Sequence, residues 1–94
     1  MNYELVFKDE ALKEWKKLDF HLREVFKNKL AERLKGPHIP SSLLRGMSDC
    51  YKIKLRGAGY RLVYQVRDKE VVVVVIAVGK RDKNLVYKMA KGRL

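Results

Sequence analysis

The chain is poor in cysteine, in long apolar runs and in acidic residues. Its single cysteine, Cys50, excludes an internal disulfide and is typical of a reducing compartment. The N-terminus, MNYELVFKDE, lacks the apolar core of a signal peptide, and the longest apolar run, residues 71–78, is too short to cross a bilayer. We therefore expect a cytoplasmic protein without membrane contact, folded as one domain over residues 1–94.

The shortage of acidic residues leaves the chain strongly basic. Lys and Arg number 22 against 11 Asp and Glu, so the formal net charge is +11. Such an excess indicates a polyanionic partner, above all nucleic acid. A membrane surface is a weaker candidate, because no helical pattern combines a wide apolar face with aromatic anchors. His21 and His38 are too isolated to form a metal site, and no glycine-rich nucleotide loop or Ser-His-Asp pattern is present.

Hydrophobic periodicity predicts the element order β-α-α-β-β-β-α. Residues 2–7 alternate as a short strand, Asp9 is expected to cap a first helix, and Asp19 is expected to cap a longer second helix. Gly36-Pro37 should end that helix, because glycine can take the left-handed cap conformation and proline cannot continue a helix. We expect an α+β fold, in which an antiparallel-rich sheet is packed by an N-terminal helical hairpin and a short C-terminal helix.

The stretch CYKIKLRGAGYRLVYQV, residues 50–66, predicts a β-hairpin that turns at Gly57-Ala58-Gly59. A loop with an even number of residues places the apolar side chains on one face, namely Tyr51, Ile53, Leu55, Leu62 and Tyr64. The same register places the basic side chains together on the other face, namely Lys52, Lys54, Arg56 and Arg61. The opposite parity would bury Arg61 among leucines at a large cost. The following run, VVVVVIAV, predicts a strand buried on both faces.

Two further residues could join this basic face. Arg81 follows the buried strand, at a strand end where site residues are common. Tyr87 lies on the predicted C-terminal helix of residues 82–94, whose apolar stripe other residues already supply. Each residue also has a non-functional explanation. A single surface lysine is usually only solvated. Arg81 could pair with Asp82, and Tyr87 could be a half-buried residue that only packs. Unpaired like charges that face each other destabilise a sheet, however, so the cluster favours a phosphate-binding role.

The segment LRGMSDCYKIKLRGAGYRLVYQV, followed by VVVVVIAVGKR and a tyrosine six residues later, resembles the RelE toxins of bacterial type II toxin–antitoxin pairs. The resemblance covers essentially the whole chain, including ALKEWKKL near the N-terminus. It implies a small RelE-like fold and cleavage of messenger RNA in the ribosomal A site, which stops translation. It also implies neutralisation by a RelB antitoxin, and repression of the operon by the toxin–antitoxin pair, which alone would bind operator DNA.

The resemblance implies a catalytic site whose five residues are all present in this sequence, namely Lys52, Lys54, Arg61, Arg81 and Tyr87. The resemblance implies attack by the RNA's 2′-OH on the adjacent phosphate, with Tyr87 as base, Lys54 sharing that role, and Arg81 nearest the leaving oxygen. No metal or other cofactor is expected, because the 2′-OH supplies the nucleophile and the cations stabilise the added charge. Crowded cations should also lower the pKa of an amine placed among them.

Contacts with RNA phosphates on the 70S ribosome are expected from more dispersed basic residues, namely Lys13, Lys16, Lys17, Lys27, Arg45 and Arg56. Two other functions fit the residues. One is a non-catalytic module that binds ribosomes or nucleic acid. The other is a toxin directed at DNA gyrase on the same fold, as in the related ParE branch, which lacks the nuclease residues.

Overall fold

The structure is a computed structural model and describes residues 2–80, 82 and 84–94, so the predicted site residue Arg81 lies outside the described residues. The elements follow the predicted order. The strands are β1 (Glu4–Phe7), β2 (Cys50–Leu55), β3 (Tyr60–Arg67) and β4 (Val72–Lys80), and the helices are α1 (Asp9–Lys17), α2 (Phe20–Lys35) and α3 (Leu85–Arg93). A short 3₁₀ turn, Pro40–Ser42, lies between α2 and β2. No helix in the described ranges is both long and apolar enough to cross a bilayer.

The four strands form one sheet in the order β1-β4-β3-β2, in which β1 runs parallel to β4 and the other pairs are antiparallel. Strand β4 is central and buried on both faces, as predicted. Val73 and Val75 face one core, whereas Val74 and Ile76 face the other. Val71 stays outside the strand, because its φ of 55° belongs to the turn that precedes β4.

The hairpin has the predicted register. Ile53 is opposite Leu62, Lys54 is opposite Arg61, and residues 56–59 form an even-numbered loop. Gly59 adopts a φ of 68° in this loop, a conformation that glycine reaches without steric cost.

Each face of the sheet has its own core. Under α1 and α2, the first core buries the apolar face of the hairpin together with helix residues such as Phe26 and Leu30. Under α3, the second core joins Val63 and Ile76 to Val86 and Ala90. Cys50 is fully buried in this second core, and burial raises the pKa of its thiol to about 11.

The helix ends confirm the predictions for Asp19 and Gly36 and correct the prediction for Asp9. The Asp19 side chain accepts a 2.9 Å hydrogen bond from the amide of Leu22, as predicted. Asp9 does not cap α1 but is its first helical residue, because the Lys8 amide still bonds to the Val75 carbonyl at 3.0 Å and keeps the chain extended. Gly36 ends α2, as predicted, but it does not use the left-handed conformation. Its φ is −164°, since the proline that follows forces the preceding residue into an extended conformation.

An ion pair closes the free edge of β4. Strand β1 pairs with β4 only as far as Val75, so the next polar backbone groups need other partners. The guanidinium of Arg93 donates to both carboxylate oxygens of Glu14 at 2.8 Å and to the Ile76 carbonyl at 2.9 Å. Glu14 in turn accepts a 3.1 Å hydrogen bond from the Val78 amide. This Glu14–Arg93 clamp therefore joins α1, β4 and the end of α3.

We predict that Glu14→Gln lowers the free energy of unfolding at pH 7 by about 1–3 kcal/mol, because a charged hydrogen-bond acceptor is lost from a half-buried site. Burial alone would raise the pKa of Glu14, but hydrogen bonds from Arg93 and from the Val78 amide hold this pKa below its ordinary value of 4.5. A carboxyl with a lowered pKa stabilises the fold above its unfolded pKa and loses that effect as the pH falls through the folded value. The difference between wild type and variant should therefore shrink below pH 4.5.

Urea unfolding at pH 7 and in acid measures this effect. Glu32→Gln removes an exposed carboxylate from α2 and is the matched control, for which we expect little change. Equal stability of Glu14→Gln and wild type at pH 7 would contradict the stabilising role of the clamp.

Candidate functional site

Strands β2 and β3 bring three of the predicted site residues onto one face of the sheet. Lys52 and Lys54 alternate with the buried residues of β2, and Arg61 is the direct cross-strand partner of Lys54. We call Lys52, Lys54 and Arg61 the cationic face. It results from the alternation of side chains along the strands together with the even-numbered loop.

Arg61 departs from the expected environment. The sequence predicted burial of Arg61 only for the opposite parity, yet the residue is 6% exposed in the register that the hairpin adopts. The reason is the second core, which covers this face of the sheet as well. Nη1 of Arg61 donates to the Tyr60 carbonyl at 3.0 Å, and its buried Nε has no hydrogen-bond partner among the described residues. Arg61 is thus a desolvated cation with a donor that is not used.

The cationic face lacks neutralising carboxylates. In the described ranges, the ion pair within 4.0 Å is Glu14–Arg93, and the carboxylate of Asp68 contacts the imidazole of His38. The pKa of Lys54 lies below its ordinary value of 10.5, chiefly because of the charge on Lys52, with further contributions from desolvation and from the charges of Arg56 and Arg61. Mutual repulsion among these cations makes the binding of an anion favourable.

Tyr87 lies on the same side of the sheet as the cationic face. Helix α3 packs on β3 and β4, and its buried residues Val86 and Ala90 belong to the second core. Tyr87 is half-buried and packs against that core, which is the packing role that the sequence also allowed for it. The catalytic roles of Tyr87, of the cationic face and of Arg81 stay predictions.

The residues predicted to bind RNA by dispersed charge are all exposed, namely Lys13, Lys16, Lys17, Lys27, Arg45 and Arg56. Arg56 lies beside the cationic face and lines a cleft with Lys52 and Lys54. Arg45 lies in the turn before β2. The lysines of α1 and α2 lie on the helices that cover the opposite face of the sheet. They form a separate basic surface, and their contact with RNA stays a prediction.

The same cleft contains residues that the sequence analysis missed. Arg33, Ser41 and Ser42 line it together with Lys52, Lys54 and Arg56, around a volume of about 350 Å³. No role was assigned to Arg33 from the sequence. Its spacing nevertheless held a signal, because it follows Phe26 by seven residues and Leu30 by three, which is a position that faces the core. An arginine at such a position indicates a partner or a ligand.

Comparisons with known proteins agree with this architecture. Residues 5–85 match a family model described as the ParE toxin of type II toxin–antitoxin system, parDE. The whole chain is 57% identical to the mRNA interferase toxin RelE of Escherichia coli strain K12 and covers 99% of that protein. A double mutant of E. coli toxin RelE in the free state matches with a TM-score of 0.92 and 56% identity, over 100% of this chain and 99% of that one.

A chain of the intact E. coli RelBE toxin–antitoxin complex also matches. The TM-score is 0.83 and the identity 60%, over 85% of this chain and 98% of the other. The similarity therefore extends from the sequence to the arrangement of the strands and helices that carry the cationic face.

We predict that Lys52→Met raises the pKa of Lys54 toward 10.5, because the charge of Lys52 is the largest cause that lowers it. An NMR titration of the Lys54 side chain measures this pKa directly. Lys69→Met, which removes an exposed lysine from the turn between β3 and β4, is the control and should leave the pKa of Lys54 unchanged. An unaltered pKa of Lys54 in Lys52→Met would show that the two amines do not interact.

Proposed function

The chain belongs to the RelE/ParE family of type II toxin–antitoxin toxins, and on this premise we propose that it is an endoribonuclease that cuts messenger RNA on the ribosome. The observation that carries the proposal is the cationic face, where Lys54 and Arg61 are paired across two strands without a carboxylate. A phosphodiester supplies the negative charge that this face lacks. A RelB-type antitoxin is the proposed partner, since the E. coli relative forms the RelBE complex.

The proposed reaction needs no covalent enzyme intermediate. The 2′-oxygen forms a bond to the adjacent phosphorus, the bond from phosphorus to the 5′-oxygen breaks, and the products are a 2′,3′-cyclic phosphate and a 5′-OH. Negative charge grows on the phosphate oxygens in the transition state, where preorganised cations are most effective. Lys52 and Arg61 provide such charge. The buried guanidinium of Arg61 interacts strongly with it, because little water screens the contact.

Two proton transfers complete the reaction. The proton of the 2′-OH passes to a base, and the 5′-oxygen receives a proton as it leaves. We assign Tyr87 as the base together with Lys54, whose lowered pKa makes a neutral amine more accessible, and Arg81 as the group nearest the leaving oxygen. Tyr, Lys and Arg are weak catalysts near pH 7, so the reaction depends strongly on a substrate geometry in which the 2′-oxygen is in line with the leaving group. If the ribosome holds the codon in this geometry, cleavage depends on the ribosome.

The other surfaces of the protein have roles in the proposed function as well. The exposed lysines of α1 and α2 contact ribosomal RNA phosphates, an interaction that weakens with salt. The antitoxin neutralises the toxin by covering the cationic face with an acidic segment, or by displacing α3 together with Tyr87. The toxin–antitoxin pair, rather than the toxin alone, binds operator DNA and represses the operon.

Purified protein mixed with ribosomes on a defined message tests the proposal. The 3′ ends are mapped with and without EDTA and with ribosomes omitted. We expect a cut in the A-site codon that persists in EDTA and requires ribosomes. An intact message despite ribosome binding would replace the nuclease with a non-catalytic binding module, and inhibition of DNA gyrase by the same preparation would point to a ParE-like target.

We predict that Tyr87→Phe lowers the single-turnover cleavage rate by about 10²–10⁴-fold, the range for loss of a general base, and leaves ribosome affinity unchanged. Tyr60→Phe is the matched control, because Tyr60 is also half-buried but packs against the first core. Loss of affinity and rate in equal measure would remove Tyr87 from the chemical step and leave it a binding role.

A further inference from the structure

The cleft beside the edge strand β2 is a second cationic site, which differs from the cationic face by containing Arg33. Its volume of about 350 Å³ lies at the lower end of the range of ligand pockets, which is about 300–1,000 Å³. Four cations and two serine hydroxyls line it, and no carboxylate does: Arg33, Ser41, Ser42, Lys52, Lys54 and Arg56. A cleft with this lining selects an anion that also accepts hydrogen bonds.

Arg33 is held in place by the first core. Its Nη1 donates to the Tyr64 hydroxyl at 2.8 Å and to the Lys52 carbonyl at 3.3 Å, and its guanidinium carbon lies 5.7 Å from the centre of the Tyr64 ring. The Tyr64 hydroxyl is itself fixed, because it donates to the Pro37 carbonyl at 2.8 Å. Tyr51, stacked on Tyr64 with 5.5 Å between ring centroids, immobilises the ring. The guanidinium is therefore preorganised rather than mobile.

Hydrogen-bonding capacity of Arg33 remains for a ligand. A guanidinium carries five N–H donors. Arg33 uses Nη1 for contacts of 2.8 and 3.3 Å, and Nη2 for a contact of 3.5 Å to the Ser42 hydroxyl. A bond of that length is weak and is easily exchanged for a charged acceptor. No carboxylate in the described residues lies within ion-pair distance of Arg33.

We propose that Arg33 and Ser42 form a subsite for an RNA phosphate that flanks the scissile one. The subsite rests on the proposed function, because Lys52 and Lys54 belong both to the cationic face and to the cleft. An RNA whose scissile phosphate lies on the cationic face continues along β2 into the cleft, where Arg33 binds the next phosphate. The subsite contributes to binding and to the path of the strand, and it does not contribute to proton transfer.

The subsite can be tested with a trinucleotide in which every 2′-OH is methylated. The protein cannot cut this RNA, so its binding can be measured without cleavage. We expect the Nε–H resonance of Arg33 to shift saturably in an NMR titration. Arg33→Gln should weaken binding by about tenfold, the effect of losing one charged hydrogen bond, and Arg33→Lys by less. Lys35→Gln is the matched control, since Lys35 is an exposed cation in the same turn of α2, and it should change the affinity by about twofold at most.

Three results would overturn the subsite. Equal weakening by Arg33→Gln and Lys35→Gln would mean that the cleft acts only by diffuse charge. An unchanged Arg33 shift with neutral methylphosphonate linkages would exclude a phosphate ligand. Saturation by inorganic phosphate with no gain in affinity from the RNA would make the cleft a free-anion site. These outcomes are independent of cleavage: a wild-type protein that cuts no message disproves the proposed function, while the titration still decides the subsite.

Discussion

The hydrogen-bonded register between β2 and β3 is the constraint on which the rest of the molecule depends. It pairs Ile53 with Leu62 and Lys54 with Arg61, so that one face of the hairpin enters the first core and the other becomes the cationic face. A slip by one residue would exchange the two faces and bury the charges under α2. Burial of the apolar face therefore offsets the repulsion that the opposing cations create, and stability and site arise from the same pairing.

Helix α3 connects the site to the stability of the sheet. It covers the second core, which accounts for the burial of Arg61, and it carries Tyr87 on the same side of the sheet. The Glu14–Arg93 clamp holds the end of this helix to the edge of β4, where β1 no longer provides backbone partners. Any partner that displaced α3 would have to break this clamp, expose Val86 and remove Tyr87 together. Inactivation of the proposed site by such a partner would then be coupled to loss of the second core.

Local patterns predicted the alternation of strands and helices, the hairpin register and the Asp19 cap, because each depends on neighbouring residues. The prediction that Asp9 caps α1 was wrong, because the β1–β4 ladder continues through Lys8. Gly36 does end α2, but the proline after it keeps it out of the left-handed conformation. Contacts between distant residues were not predictable from spacing. Glu14 and Arg93 form a contact although they are 79 residues apart in the sequence. Arg33 lines the cleft only because α2 packs beside Tyr64.

The central claim is that the cationic face promotes attack by the 2′-OH of the RNA on its own phosphate. The most direct measurement places a single 2′-deoxynucleotide on the 5′ side of the scissile phosphate in the A-site codon and follows both cleavage and ribosome binding. We predict that the ribosome complex forms normally and that no cut occurs at that position, whereas the all-ribose message yields a 2′,3′-cyclic phosphate end. Cleavage of the deoxy-substituted message at the same position would contradict the account, because the nucleophile would then have to come from elsewhere.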